Sequence, residues 1–178
     1  MEKGVIISGF PCIGKSTVTN TQNGIIDLES SMLFVDNNRP EHWEKIYINY
    51  AEDLAKQGFT VLVSSHDLVR KELNLRNVPF VAIYPDKSLK SEWITRLINR
   101  YKQNPSDKNK KAMDYCIEHF DECIDNMETE ERRWPLGNPS YDLSNIINYI
   151  QVDEIHSSKG NLLKIYAENL SHALNIDC

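Results

Sequence analysis

No apolar run in the chain approaches the roughly 20 residues that a membrane-spanning helix needs. No internal repeat and no low-complexity segment is visible, which excludes repeat arrays and compositionally disordered tracts. The four cysteines, Cys12, Cys116, Cys123 and Cys178, include no CxxC pair, so free thiols in a reducing compartment fit them best. Positive charge is in deficit. Twenty Lys and Arg face 26 Asp and Glu, a formal charge of −6, which argues against a chain that coats nucleic acid by bulk charge but leaves room for a local basic groove. The first residues, "MEKGVIISGF", lead a short apolar run straight into a glycine loop. Cleavage of a signal peptide would remove that loop, so the expected location is cytoplasmic, with no membrane partner.

What is present reads as one domain. A chain of 178 residues is long enough to bury a full core without metals or disulfides. Apolar runs alternate with amphipathic stretches, the pattern of an α/β protein with a parallel sheet. Residues 4–9, 24–29, 59–65 and 78–85 read as four strands, and a helix is expected to start near Lys15. Residues 40–58 are helical by the three- and four-residue recurrence of Trp43, Ile46, Tyr47, Tyr50 and Leu54, with Gly58 placed to cap the end. From Lys87 the reading turns mostly helical. One helix covers 88–103, and another covers 106–127 with Ser106 as its N-cap. Residues 132–142 hold two prolines and a glycine and read as a loop. Residues 145–154 fit either a helix end or a fifth strand, and the helical pattern of 157–174 after them favours the strand. On a single helix Cys116, His119 and Cys123 would share one face. Three ligands with no obvious fourth favour core packing over a zinc site.

The run Gly9–Ser16, "GFPCIGKS", matches G-x-x-x-x-G-K-[ST]. Glycines let backbone N–H groups turn inward and approach phosphates that a Cβ would keep away. Gly9, Pro11, Cys12, Ile13 and Gly14 would form the cradle, and the helix start behind it adds its positive dipole end. Lys15 would reach the β- and γ-phosphates of ATP, Ser16 would ligate Mg²⁺, and Thr17 would support the helix start or the α-phosphate. At average residue frequencies the pattern arises by chance in under ~1% of chains this long, so a nucleotide site outweighs an idle turn. Cys12 is read either as a filler position or as a thiol that the loop dipoles would activate toward oxidation.

Asp27 and Glu29 stand two apart at the end of the second strand, where doubly wound sheets face their ligand. A phosphotransferase has use for both. One carboxylate would hold Mg²⁺ through water, and the other would orient or deprotonate an acceptor hydroxyl. The glycine loop, a short second strand ending in D-x-E, and an arginine-bearing helix after the fourth strand together resemble the small P-loop kinases. That superfamily includes the nucleoside monophosphate, shikimate and gluconate kinases, and the resemblance covers most of the first 100 residues. It implies a P-loop NTPase fold with a five-stranded parallel sheet of order 2-3-1-4-5 flanked by helices, and a helical lid over about 87–135 of a single domain 1–178. In the shikimate kinase group a D-x-D pair serves Mg²⁺ and the acceptor hydroxyl, so Asp27 takes the metal side and Glu29, a longer arm, the acceptor side. Arg96 and Arg100, four apart on one helix face, correspond to the lid arginines that close over ATP in those kinases. Ser64 and Ser65 stand where motor-type ATPases carry an acidic residue.

The acceptor is left open among a nucleotide, a nucleoside and a small hydroxyl metabolite. Glu29 favours a hydroxyl, whereas Arg70 and Lys71 favour an acceptor phosphate if they are more than solvated helix charges. His66 would touch the acceptor or cap the helix that follows it, and Arg132 and Arg133 rank below the other arginines. The chain also resembles, more loosely, kinase-like proteins of bacteriophages, some of which phosphorylate a hydroxymethylated pyrimidine in DNA. The acidic net charge disfavours a DNA partner. A third reading is a nucleotide-binding switch that transfers nothing, which the arginines count against.

Overall fold

The computed structural model describes residues 4–33 and 38–156. Five strands, β1 (Ile6–Gly9), β2 (Ile25–Asp27), β3 (Thr60–Ser64), β4 (Val81–Pro85) and β5 (Arg133–Leu136), form one sheet of order β2-β3-β1-β4-β5. Every pairing is parallel. The helices are α1 (Lys15–Thr21), α2 (Trp43–Lys56), α3 (Asp67–Leu75), α4 (Lys90–Gln103), α5 (Asp107–Glu118), α6 (Phe120–Glu128) and α7 (Leu143–His156). Short 3-10 turns cover Ser30–Leu33 and Lys87–Leu89. Among the described residues no helix is long and apolar enough to cross a membrane.

β1 is buried along its whole length because it lies mid-sheet between β3 and β4. Strands covered on both faces lose the alternation of half-buried ones, and "TVLV" and "VAIY" show the same continuous burial. Gly9 pairs with Ser64 on one side and Ile83 on the other, so β1, β3 and β4 end together. Gly58, at φ 93°, ends α2 as its left-handed residue, and Ser106 caps α5 by accepting from Asn109 N–H at 3.2 Å.

Three expectations need correction. The fifth strand is Arg133–Leu136, inside the segment read as a loop. It forms an edge, where Pro135 costs no ladder hydrogen bond, and it is held by Ala82 N–H to Arg132 O and Asp86 N–H to Leu136 O, both 2.9 Å. Residues 145–154 belong to α7. Its buried Leu143, Ile146, Ile147 and Ile150 recur at helical spacing, while Asn145, Asn148 and Tyr149 face solvent. The single helix expected over 106–127 is two, because His119 closes α5 and opens α6. No proline or glycine marks that break, so periodicity reads through it. Cys116, His119 and Cys123 therefore do not share one helix face. Cys116 is buried, and His119 pairs with Glu122 at 3.2 Å. The helical pattern of 157–174 lies outside the described residues.

A buried ion pair joins α3 to the turn before β5. Arg70 Nε donates to Glu130 Oε1 at 2.8 Å, with both side chains almost wholly buried, and Asn74 donates to the other Glu130 oxygen at 2.9 Å. The guanidinium also donates to the Ser65 carbonyl and stands 3.5 Å from Asp67. Arg70 is thus a structural clamp rather than a solvated charge, whereas Lys71 is exposed and pairs with Asp67 at 2.6 Å. Removing one partner of such a pair strands the other charge. Glu130→Ala is expected to lower stability by about 3 kcal/mol in urea unfolding, and a loss below about 1 kcal/mol would show the pair to be dispensable.

Candidate functional site

The loop between β1 and α1 is gripped from two sides. Trp93, fully buried on α4, donates its indole N–H to the Pro11 carbonyl at 2.8 Å. Leu143 N–H, at the start of α7, donates to the Ile13 carbonyl at 2.7 Å. With these carbonyls turned outward, the amides of Cys12 through Thr17 find no acceptor among the described residues. Two glycines permit this shape. A Cβ on Gly9 would lie 2.4 Å from Ile13 Cδ1, and one on Gly14, at φ 95°, would lie 3.1 Å from the Asp142 carboxyl. Cys12 takes φ 66° without being glycine, a conformation that costs about 1–2 kcal/mol. Burial pushes its thiol above the ordinary range, and Arg100, Arg96 and Lys15 do not reverse that shift. The reading of Cys12 as an activated thiolate therefore loses its basis.

Lys15 opens α1 and folds back over the loop, its Cδ 3.3 Å from where a Gly9 Cβ would stand. Its ammonium lies 4.0 Å from Asp27 Oδ1, at the end of β2. Burial depresses the Lys15 pKa, with Asp27 and Glu29 opposing. Burial raises that of Asp27, against the pull of Lys15. Asp27 Oδ1 is buried and has no hydrogen-bond partner. An unpartnered carboxylate oxygen beside a half-buried lysine suits a cation or its water shell, and the exposed hydroxyl of Ser16, the second residue of α1, would be a second oxygen. Mg²⁺ commonly takes one or two protein oxygens and completes its shell with phosphate and water, so this donor set fits it.

Glu29 sits just beyond β2 and is about half exposed. Lys108, from α5, donates to Glu29 Oε2 at 2.8 Å and to Ser31 Oγ at 2.9 Å. Burial alone would raise the Glu29 carboxyl. The Lys108 hydrogen bond and charge, with Lys15 and Arg100, outweigh it and hold the group below its ordinary value. The carboxylate pair is kept in place by Tyr47, fully buried on α2. Its hydroxyl donates to the Leu28 carbonyl and accepts from Ser64 N–H at 3.0 Å, tying the end of β2 to the end of β3.

The two arginines of α4 separate in role. Arg96 lies 4.2 Å over the Trp93 ring and donates to the Glu92 carboxylate at 3.3 Å and to the Pro139 carbonyl, which fastens α4 to the loop before α7. Arg100 is exposed, and its charge acts on Cys12, Lys15, Asp27 and Glu29 together. Of the lower-ranked arginines, Arg133 donates to the Glu130 carbonyl at 2.9 Å.

A cavity of about 790 Å³ opens beside the cradle. Phe10 and Pro11 border it on the loop side, Ser64 to His66 at the end of β3, and α5 and α6 across from the sheet edge. The helical segment after α4 therefore builds a wall of this cavity. His66 Nδ1 accepts from Leu68 N–H at 3.3 Å and caps α3, while its ring stands edge-on to Trp43 and also lines the cavity. Burial, with Arg39 nearby, lowers its pKa. Among the described residues no group of three or more His, Cys, Asp or Glu is arranged to hold a metal.

Tyr47, Trp93, Lys108 and Asp142 are absent from the sequence reading of the site. Tyr47 carried only a core-face signal, and nothing in the sequence brings Lys108 to Glu29 across 79 positions. No family model matches the chain, and no curated protein matches it in sequence. Tyr47→Phe keeps the ring but strands the Leu28 carbonyl and the Ser64 amide. It should cost about 1–3 kcal/mol of stability by chemical denaturation, and an unchanged midpoint would contradict the tie described above.

Proposed function

We propose that this protein is an ATP- and Mg²⁺-dependent phosphotransferase of the small P-loop kinase kind. One observation carries the reading: a loop of acceptorless amides, a half-buried lysine and an unpartnered carboxylate oxygen converge at the C-terminal edge of the central strand. Amides and lysine together match a chain of phosphates. In this reading the amides of Cys12 to Thr17 hold the phosphates, and Lys15 neutralises the β- and γ-phosphoryl oxygens. Ser16 and Asp27 would hold Mg²⁺, which when bound withdraws charge from the transferring group. Arg100 faces the same edge and offers a further positive charge to the transition state, while Arg96 keeps α4 attached to the loop. Glu29 orients the acceptor side. A carboxylate held below its ordinary pKa by Lys108 is a weak general base, so its part is electrostatic and positional.

Transfer is tested with ATP labelled on its γ-phosphate, Mg²⁺, and separate pools of nucleoside monophosphates, of nucleosides with small hydroxyl metabolites, and of DNA with and without 5-hydroxymethyluracil. Label should enter one pool, and Lys15→Ala should reduce the rate at least about a hundredfold with its circular dichroism unchanged. Label released only as free phosphate, or none moved, would leave a nucleotide switch or an ATPase. Asp27→Asn should raise the Mg²⁺ concentration for half-maximal rate about tenfold or more.

The pH dependence has a definite sign. A depressed Glu29 is already ionised across neutrality, so no limb of the rate profile between about pH 6 and 8 belongs to it, and Glu29→Gln should leave the profile's shape unchanged there. A limb in that range that disappears in Glu29→Gln would restore Glu29 as the base.

A further inference from the structure

Cations outnumber acids in the lining of the cavity beside the cradle, Arg39, Arg70, Lys108 and Lys111 against Asp67 and Asp107. At about 790 Å³ it lies toward the upper end of the ~300–1,000 Å³ of small-molecule sites, well beyond what a small hydroxy acid fills. Lys108 lines it next to Glu29, and Lys111 lines it three residues later on the same face of α5. Lys111 is exposed and makes no ion pair among the described residues. Arg39, stacked 4.2 Å over Trp43, adds a third cation to the lining, and Arg70 is already neutralised by Glu130. Two acids face the same space. Asp67 is engaged by Lys71 at 2.6 Å, and Asp107 opens α5. Phe10, Met127 and the exposed ring of Tyr115 supply an apolar part, and Asn126 supplies a neutral donor and acceptor.

The bond between Lys108 and Glu29 decides between acceptor chemistries. A hydroxyl acceptor needs a free carboxylate oxygen to receive its hydrogen bond, and Glu29 Oε2 is already taken by Lys108 at 2.8 Å. A phosphate dianion has no proton to lose, but it must not meet a bare carboxylate, and Lys108 neutralises Glu29 where the acceptor would enter. Building on the phosphotransferase reading, we propose that the cavity is the acceptor site and that it takes a nucleotide-sized phosphate monoester, held through its phosphate by Lys108 and Lys111. An acceptor phosphate oxygen forms the new bond to the γ-phosphorus, the bond from that phosphorus to the β–γ bridging oxygen breaks, and the electron pair leaves on ADP. The acceptor leaves as its diphosphate, and no proton moves in the step.

Binding is measured by calorimetry without ATP, using nucleoside 5′-monophosphates and the matching nucleosides, on the wild type, Lys111→Ala and Lys111→Arg. The monophosphate should bind at least tenfold more tightly than its nucleoside. Lys111→Ala should remove most of that difference without changing nucleoside binding, and Lys111→Arg should retain it. Equal binding of nucleoside and monophosphate, or no effect of Lys111→Ala, overturns the proposal. The transfer assay separates the two levels. Label from ATP on a nucleoside, metabolite or DNA hydroxyl overturns the phosphate acceptor and leaves the kinase standing. Monophosphate bound as expected but never phosphorylated overturns both the kinase reading and this acceptor step.

Discussion

The loop after β1 keeps its amides free because its carbonyls are claimed elsewhere, and both claims come from distant parts of the chain. Trp93 takes the Pro11 carbonyl from α4, and the Leu143 amide takes the Ile13 carbonyl from α7. In a planar trans peptide the carbonyl and the next residue's N–H point opposite ways, so holding the Pro11 and Ile13 carbonyls turns the Cys12 and Gly14 amides away from Trp93 and Leu143. The parallel sheet makes those claims possible. With β4 beside β1 on one side and β5 beyond it, the segments that leave those strands, α4 and α7, both begin at the edge where the loop stands. The clamp by Arg96 on Pro139 then joins the two claimants to each other. Loop, α4 and the start of α7 are one unit rather than three neighbours.

Inside that unit the electrostatics favour an added ligand. Burial lowers Lys15 and raises Asp27, so in each case the charged form is disfavoured where it sits. Their mutual attraction at 4.0 Å is a contact without a hydrogen bond, and Asp27 Oδ1 is left without a partner. A site built only for stability would close that distance or exchange both groups for apolar ones, since a poorly made ion pair seldom offsets its desolvation. In the proposed reading a phosphate and a cation would complete the arrangement, and the local loss of stability would be offset on binding.

Four strands and most of the helices were legible because burial on both faces writes continuous apolar runs, and one-sided burial writes helical spacing. The failures have physical reasons. β5 is a four-residue edge strand with one buried side chain, so neither signal is present, and Pro135 gives the opposite one. Isoleucines at 146, 147 and 150 suit a strand by propensity, and only their spacing with Leu143 marks α7. Of the candidate site, Gly9 to Thr17, Asp27 and Glu29 stood out in the sequence as short-range patterns, and the fold brings Lys15 to 4.0 Å from Asp27. Lys108 and Tyr47 were not, since each reaches its partner through the fold: Lys108 to Glu29 from a helix 79 positions away, Tyr47 to Leu28 and Ser64 from the middle of α2.

The bend at His119 shows how the same packing that stabilises the protein shapes its cavity. Phe120 is fully buried and meets Phe10 edge-on at 5.8 Å, so the start of α6 rests on the residue that opens the loop. With the break at His119, α5 brings Lys108 to Glu29 just beyond β2, while α6 lies against β4. The clamp of Arg70 on Glu130 then fixes the far end of α6 to α3, beneath Ser65 and His66. The cavity is thus bounded by two helices whose separate directions follow from two different anchors, and two of its cations, Lys108 and Lys111, come from the one that crosses toward Glu29. That division explains how an acidic chain presents a basic pocket. Carboxylates such as Asp121 and Asp125 of α6 lie on outer surfaces, where they pair with Lys90 and Lys87, while Lys108 and Lys111 of α5 line the cavity.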